Sequence, residues 1–251
     1  MKIIQASHLV KSFGAGDEKR NVLDDVSVEI NKGEFVTVMG PSGSGKSTLL
    51  FVLSGMDGAD SGKVSFDGKD LSSLKDNELA DLRRTEMGFV FQKAALLSNL
   101  NILDNIILPS VRGNAKHTAK LTERAKGLMK KAGIEGLEER DLTQVSGGQL
   151  QRAGICRALM GNPNIIFGDE PTGALNSKTA AEIMDILAEI NEDGTAILLV
   201  THDAIVAAKS ERILFMLDGK IASEMALPKF KGERLDERVE AVAAKMREIG
   251  I

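Results

Sequence analysis

The chain has almost nothing with which to cross-link itself, span a bilayer or grip a polyanion. Its 251 residues include one cysteine, Cys156, so no internal disulfide can form and a reducing compartment suits it. That thiol reads as a small buried residue on a helix. No apolar run approaches the ~18 residues of a membrane-spanning helix. Residues 1–14 scatter Lys2, His8 and Lys11 and hold no apolar leader core, so they are not read as a signal peptide. The net charge of −4 argues against a large nucleic-acid footprint and supplies no general attraction to anionic lipid. No internal repeat or low-complexity segment is evident. What remains is an ordinary globular composition, 43% hydrophobic and 27% charged, ample for a buried core in one large domain or two small ones. A cytoplasmic location is expected unless a partner holds the chain at a membrane.

The stretch Gly40-Pro41-Ser42-Gly43-Ser44-Gly45-Lys46-Ser47-Thr48 fits G-x-x-x-x-G-K-[ST] in full. Phe35-Val36-Thr37-Val38-Met39 before it reads as a short buried strand, and Leu49-Leu50-Phe51-Val52-Leu53 after it as an apolar helix. A strand, a glycine-rich loop and a helix start are what phosphate binding needs. The loop glycines let successive N–H groups turn towards one anion, and the helix adds about half a positive charge there. Lys46 can reach the β- and γ-phosphates, and the Ser47 hydroxyl can ligate Mg²⁺. A ligand-free strand-to-helix turn would not require Lys46 and Ser47 at the helix start.

The flanking chain alternates between strand and helix patterns. Short strands are expected at Ile3-Ile4 and Leu9-Val10, a loop over residues 16–21, and a half-wet strand over residues 26–30. Residues 60–62 read as a turn, residues 64–66 as a strand and Asp67-Gly68 as a hairpin turn. A helix follows over residues 76–84 and a strand over residues 87–91. Residues 93–160 carry helical spacing and no convincing strand, the pattern of a helical insert. The alternation resumes with strands at residues 165–167 and 196–200, a helix over residues 178–192, and a hairpin around Asp218-Gly219. The fold class is α/β, with a parallel sheet, an antiparallel N-terminal part and a helical insert.

In an open parallel sheet, ligands sit beyond the carboxyl ends of the strands. Polar residues cluster at three such ends: Lys46-Ser47, Asp169-Glu170 and Thr201-His202. Asp169 can bind a metal-associated water, and Glu170 can polarise an attacking one. Surface capping by the acids and a satisfied core histidine are the plain alternatives, and the neighbouring phosphate loop weighs against both. Ser146-Gly147-Gly148-Gln149 has capping-box spacing at the start of a helix over residues 150–160. This is a second anion-binding helix start, one without a lysine. Two such sites in one chain suggest that they meet across a symmetric dimer.

At this point the chain resembles the ATP-binding subunit of an ATP-binding cassette (ABC) transporter, from its start to about residue 225. Walker A is residues 40–48, the Q-loop glutamine is Gln92, and the signature is residues 145–149, with Val145 for the usual Leu. Walker B is residues 165–170, the D-loop is Ala174-Leu175-Asn176-Ser177, and the switch histidine is His202. The resemblance implies a P-loop ABC ATPase domain over residues 1–225, with a helical subdomain at about 93–160. It implies two copies paired head to tail, each ATP held between one Walker A and the partner's signature. Phe13 would stack on adenine, where the family more often has Tyr. Ser47 and Gln92 would ligate Mg²⁺, with Asp169 acting through water. Glu170 would be the general base or water-orienting carboxylate, and His202 would contact the γ-phosphate. Asn176 departs from the usual Asp, keeping its shape and losing its charge.

Residues 92–97 and 171–175 resemble the lipoprotein-releasing, macrolide-export and antimicrobial-peptide-resistance group of that family. By that resemblance, residues 93–112 dock a membrane permease, although their apolar side chains also suit a plain core. The protein would then be peripheral at the inner face of the cell membrane, transmitting motion in an export or mechanotransmission system. A cell-division type signalling ATPase is a second reading. A soluble ABC ATPase working on nucleic acid or ribosomes is a third, but it usually carries a long coiled-coil insertion or two cassettes, both absent here. In the tail, residues 226–251, Leu235, Val239, Val242, Met246 and Ile249 recur at 4, 3, 4, 3 spacing. That amphipathic helix either packs back on the domain or meets a dimer mate or partner.

Overall fold

The structure is a computed structural model describing residues 1–16, 19–112 and 118–251. Its first half runs β1 (Lys2–Phe13), β2 (Arg20–Asn31), β3 (Phe35–Met39), α1 (Lys46–Leu53), β4 (Ser61–Phe66), β5 (Lys69–Asp70), α2 (Asp76–Glu86) and β6 (Met87–Phe91). Then come α3 (Ile102–Val111), α4 (Thr118–Lys131) and α5 (Gly147–Leu159). The last part is β7 (Ile165–Asp169), α6 (Ser177–Glu192), β8 (Ala196–Thr201), α7 (Ala204–Ala207), β9 (Arg212–Leu217), β10 (Lys220–Ala226) and α8 (Leu235–Glu248).

Alternating apolar residues build the first layer. β1 and β2 pair antiparallel, with Ile4 opposite Ile30 and Ala6 opposite Val28. β4 and β5 extend this sheet to the order β2-β1-β4-β5. The apolar pairs at residues 3–4 and 9–10, expected as separate strands, belong to one strand. His8 and Asp25 have positive φ (52° and 56°), and the register slips between Ala6 and Leu9. The bulge breaks the period of two that would have marked a long strand. Gly62 also differs from expectation, lying inside β4 rather than in a turn. A Cβ there would stand 2.5 Å from the His8 carbonyl oxygen, so this glycine answers the bulge. β2 begins at Arg20, so the expected loop is shorter, and its residues 17 and 18 lie outside the described residues. Asp67 and Gly68 both have positive φ (45° and 80°), as a two-residue hairpin turn requires.

The second sheet has the order β10-β9-β3-β8-β7-β6. It is parallel from β9 to β6, with β10 antiparallel at its edge. Every residue of β3 and β8 is buried, because both faces of the sheet are covered. On one face α1 packs Leu49, Leu50 and Leu53 between Val36, Val38 and Val200 and the antiparallel sheet. On the other, Ile183, Met184 and Leu187 of α6 pack on Ile166, Ile197 and Leu199. The strand order sets β3, β8 and β7 side by side, with Met39 opposite Thr201 and Asp169 opposite Val200. Residues distant in sequence therefore end at one edge.

α3, α4 and α5 form a block with its own core around Ile102, Ile106, Met129 and Cys156. Among the described residues of 93–160 there is no strand; residues 113–117 lie outside them. The Cys156 thiol is buried there, which pushes its pKa up to about 12. α8 turns Val242, Leu235, Val239, Met246 and Ile249 onto Met39, Ala207, Ala208 and Phe215. Arg238 fastens it by donating to the carbonyls of Ala208, Ser210 and Pro228 at 2.6, 2.8 and 2.7 Å. No helix among the described residues is long and apolar enough to cross a membrane.

Candidate active site

The phosphate loop joins the end of β3 to α1, and sterics fix its glycines. A Cβ on Gly40 would lie 2.1 Å from the Met216 carbonyl oxygen, so the chain can pass β9 there only as glycine. Gly45 has φ 102° and lies against the Val22 carbonyl, where a Cβ would come within 2.4 Å. That left-handed turn brings Lys46 to the first position of α1. The Lys46 ammonium donates to the Pro41 carbonyl at 2.7 Å. Burial lowers its pKa, against the pull of Glu170 and Asp169.

Beside it, Ser47 Oγ donates to Asp169 Oδ1 at 2.8 Å. Asp169 closes β7, and burial raises its pKa more than the Ser47 hydrogen bond lowers it; the Glu170 charge raises it further. Glu170 follows with φ 47°, a left-handed backbone that costs a side-chain-bearing residue about 1–3 kcal/mol. Its amide donates to Val200 O at 2.9 Å, and its carbonyl accepts from Gly173 N at 3.0 Å. Held so, its carboxylate Oε1 lies 2.8 Å from His202 Nδ1, just past the end of β8. An ionised carboxylate can only accept, so the ring donates through Nδ1 and turns Nε2 away from Glu170.

These groups face a cleft of 640 Å³ lined by Phe13, Val22, Ser42, Gly43, Gly45, Lys46, Ser47, Thr48, Glu170 and His202. Gly40, buried Ser44 and Asp169 lie outside that lining, Asp169 reaching it only through Ser47. Gln92 is exposed and lies beside Gly173: a Cβ on Gly173 would come 2.9 Å from Gln92 Nε2 and 3.2 Å from Glu170 Oε2. Ser146, Gly147, Gly148 and Gln149 do not line the cleft of their own chain. They form a complete capping box at the start of α5: Gln149 N donates to Ser146 Oγ at 3.3 Å, and Ser146 N to Gln149 Oε1 at 2.8 Å. The helix thus begins at Gly147, three residues before the expected start.

Several contributors were invisible in the sequence. Val22 lines the cleft from β2, and no local pattern marks it. α5 clasps the chain on both sides of Gln92: Gln151 donates to Phe91 O at 2.9 Å, and Arg157 to Ala94 O and Ala95 O at 2.8 and 2.7 Å. From α3, buried Asn105 accepts from Leu97 N and donates to the Leu97 and Leu100 carbonyls. Their residue types did signal something, since buried amides and guanidiniums must find partners.

A glycine-rich loop leading from β3 into a helix, with Asp169-Glu170 at the end of β7 on the far side of β8, is the layout of a P-loop nucleoside triphosphatase. The family follows from comparison: the ABC transporter family model matches residues 23–173. A lipoprotein-releasing system ATP-binding protein of Rhodospirillum rubrum is 42% identical over 225 residues, covering 89% of this chain and 97% of that protein. A macrolide export ATP-binding/permease protein of Aggregatibacter actinomycetemcomitans is 42% identical over 224 residues, 89% of this chain. The chain spans 35% of that longer relative. A solved dimeric ATP-binding cassette in a post-hydrolysis state with ADP and Pi superposes with a TM-score of 0.81 at 39% identity, covering 90% of this chain and 100% of that one. The chain belongs to the ABC transporter family and is an ABC ATPase.

Proposed function

We propose that two copies of this chain close around two ATP, hydrolyse them, and thereby drive a membrane permease of an export or mechanotransmission system. One observation carries the dimer: the capped start of α5 offers anion-binding N–H groups but lies outside its own chain's cleft. It is a second half-site in need of a first. The solved dimer of a related cassette supports the same arrangement.

Within one composite site, the loop amides and Lys46 would hold the phosphates, and Phe13 would carry the base. Glu170 would orient or deprotonate the attacking water, with His202 fixing its carboxylate and reaching the γ-phosphate. This is positioning plus charge stabilisation of phosphoryl transfer to water. Ser47 and Asp169, joined at 2.8 Å, are hard oxygen donors that suit Mg²⁺, and Gln92 would add a third from beside Gly173. Bound there, the ion would neutralise phosphate charge.

Two relatives, named for lipoprotein release and for macrolide export with a permease, motivate the membrane partner. The chain would then sit in the cytoplasm, peripheral at the inner face of the membrane. Residues 93–112 are the proposed docking surface, where Leu97 is 47% exposed while Leu96 packs on the helical core. Affinity purification from detergent extracts tests this. An integral membrane protein should co-purify and be lost with Leu97→Asp, while the isolated ATPase rate is kept. Recovery of nucleic acid or ribosomes instead would contradict the reading.

A further inference from the structure

Phe13 lines the cleft at the phosphate loop, and the Lys11 ammonium lies against its ring. Residues two apart on a strand share a face, so both side chains leave the end of β1 together. Lys11 Nζ lies 5.3 Å from the Phe13 ring centroid, inside the about 6 Å over which an ammonium is held by an aromatic face. The same ammonium donates to Asp57 Oδ1 at 2.8 Å and to Gly58 O at 2.7 Å. Its side chain is largely buried, whereas Phe13 is an exposed residue. Lys11 is absent from the cleft lining to which Phe13 belongs, so its ammonium meets the ring without being part of that lining.

Asp57 belongs to the segment leaving α1, where the amides of Met56 and Asp57 both donate to Phe51 O. A second tie runs alongside: Ser12 N donates to Asp60 Oδ2, and Asp60 N to Val10 O, each at 2.8 Å. The strand that carries Phe13 is thereby fastened to the far end of the helix that begins with Lys46.

We propose that Lys11 is a positioning residue for nucleotide binding. Its ammonium fixes the plane of the Phe13 ring and its separation from the phosphate loop, so that base and phosphates are gripped at a set distance. The proposal rests on the reading of Phe13 as the base platform. Lys11 touches no reacting atom, so its effect falls on affinity rather than on the chemical step.

The chain has no tryptophan, so Phe13→Trp creates a sole fluorescent reporter at this position. MgATP should quench it, and adding Lys11→Met should raise the quench midpoint about three- to tenfold. Lys11→Arg, which keeps charge and reach, should stay near the parent value. With Phe13 in place, Lys11→Met should raise KM for ATP by a similar factor and leave kcat within about twofold. In a Phe13→Ala background the same change should no longer move KM, because no ring is left to hold. An unchanged midpoint, or an equal rise in KM without the ring, would overturn the role of Lys11. If Phe13→Ala itself leaves KM unchanged, the base platform falls, and the role of Lys11 with it.

Discussion

His202 Nδ1 lies 2.8 Å from Glu170 Oε1, the two residues standing at the ends of strands β8 and β7 that pair in parallel. The backbone of Glu170 is held in the left-handed region by Val200 O and Gly173 N. A carboxylate is thus fixed at the mouth of the cleft by groups that do not depend on its charge. Glu170→Gln keeps the shape and an acceptor for the histidine but removes the base. Its ATPase turnover should fall about 10²–10⁴-fold with ATP affinity retained, as measured by steady-state hydrolysis and nucleotide binding. Unchanged turnover would sink the catalytic assignment.

Asp169 carries a cost that function explains. Its folded pKa stands above the free value because burial disfavours its charge. Such a group lowers stability above that folded pKa, and the penalty fades as pH falls through it. Asp169→Asn can still accept from Ser47 and removes the buried charge. Its melting temperature at neutral pH should rise above the parent's while MgATP turnover is lost. The gap to the parent should close on acidification. A lower melting temperature at neutral pH would show that the charge stabilises the fold.

Asn176 caps α6, its Oδ1 accepting from Thr179 N at 3.0 Å. An aspartate keeps that acceptor and adds a negative charge at a helix start, where charge of that sign is favoured. Asn176→Asp should therefore fold at least as well as the parent. It should also raise the ATPase rate or steepen its dependence on ATP, because the substituted charge lies in the loop expected to meet the second copy. Kinetics identical to the parent would remove any role for the missing charge.

The tail helix packs on a buried cluster of Met39, Ala207, Ala208 and Phe215. Arg238 gives three hydrogen bonds to carbonyls of two segments, Ala208 and Ser210 after α7 and Pro228 after β10, and Val242 is fully buried. Arg238→Met leaves those carbonyls without a donor and should cost about 2–3 kcal/mol in urea unfolding. Truncation after Pro228 should lower stability further by exposing Met39, Ala207 and Phe215. Undiminished stability in both would mean that α8 serves assembly alone.

The site was more legible than the scaffold that holds it. The phosphate loop, Asp169-Glu170 and His202 each sit where a buried strand stops, and a run of apolar residues broken by a polar one is visible in one dimension. The capping box of Ser146 and Gln149 was readable for the same reason, since its partners are three residues apart. Strand β1 was not, because the bulge at His8 scrambles its alternation. The clasp of Gln151 and Arg157 on residues 91–95 was hidden too, as it joins side chains to carbonyls some sixty positions away. The stripe of α8 announced a buried face, but only the fold shows which surface receives it.

In the proposed dimer the cleft of one copy is completed by Ser146 to Gln149 of the other. The direct measurement is the mass of Glu170→Gln in solution, with and without ATP. With hydrolysis blocked, the monomer should become a dimer when ATP is added. No such dimer should form when Ser146→Arg is introduced as well, although each chain still binds ATP through Lys46. A Glu170→Gln protein that stays monomeric with ATP bound, or a Ser146→Arg protein that hydrolyses ATP at the parent rate, would contradict the proposed dimer.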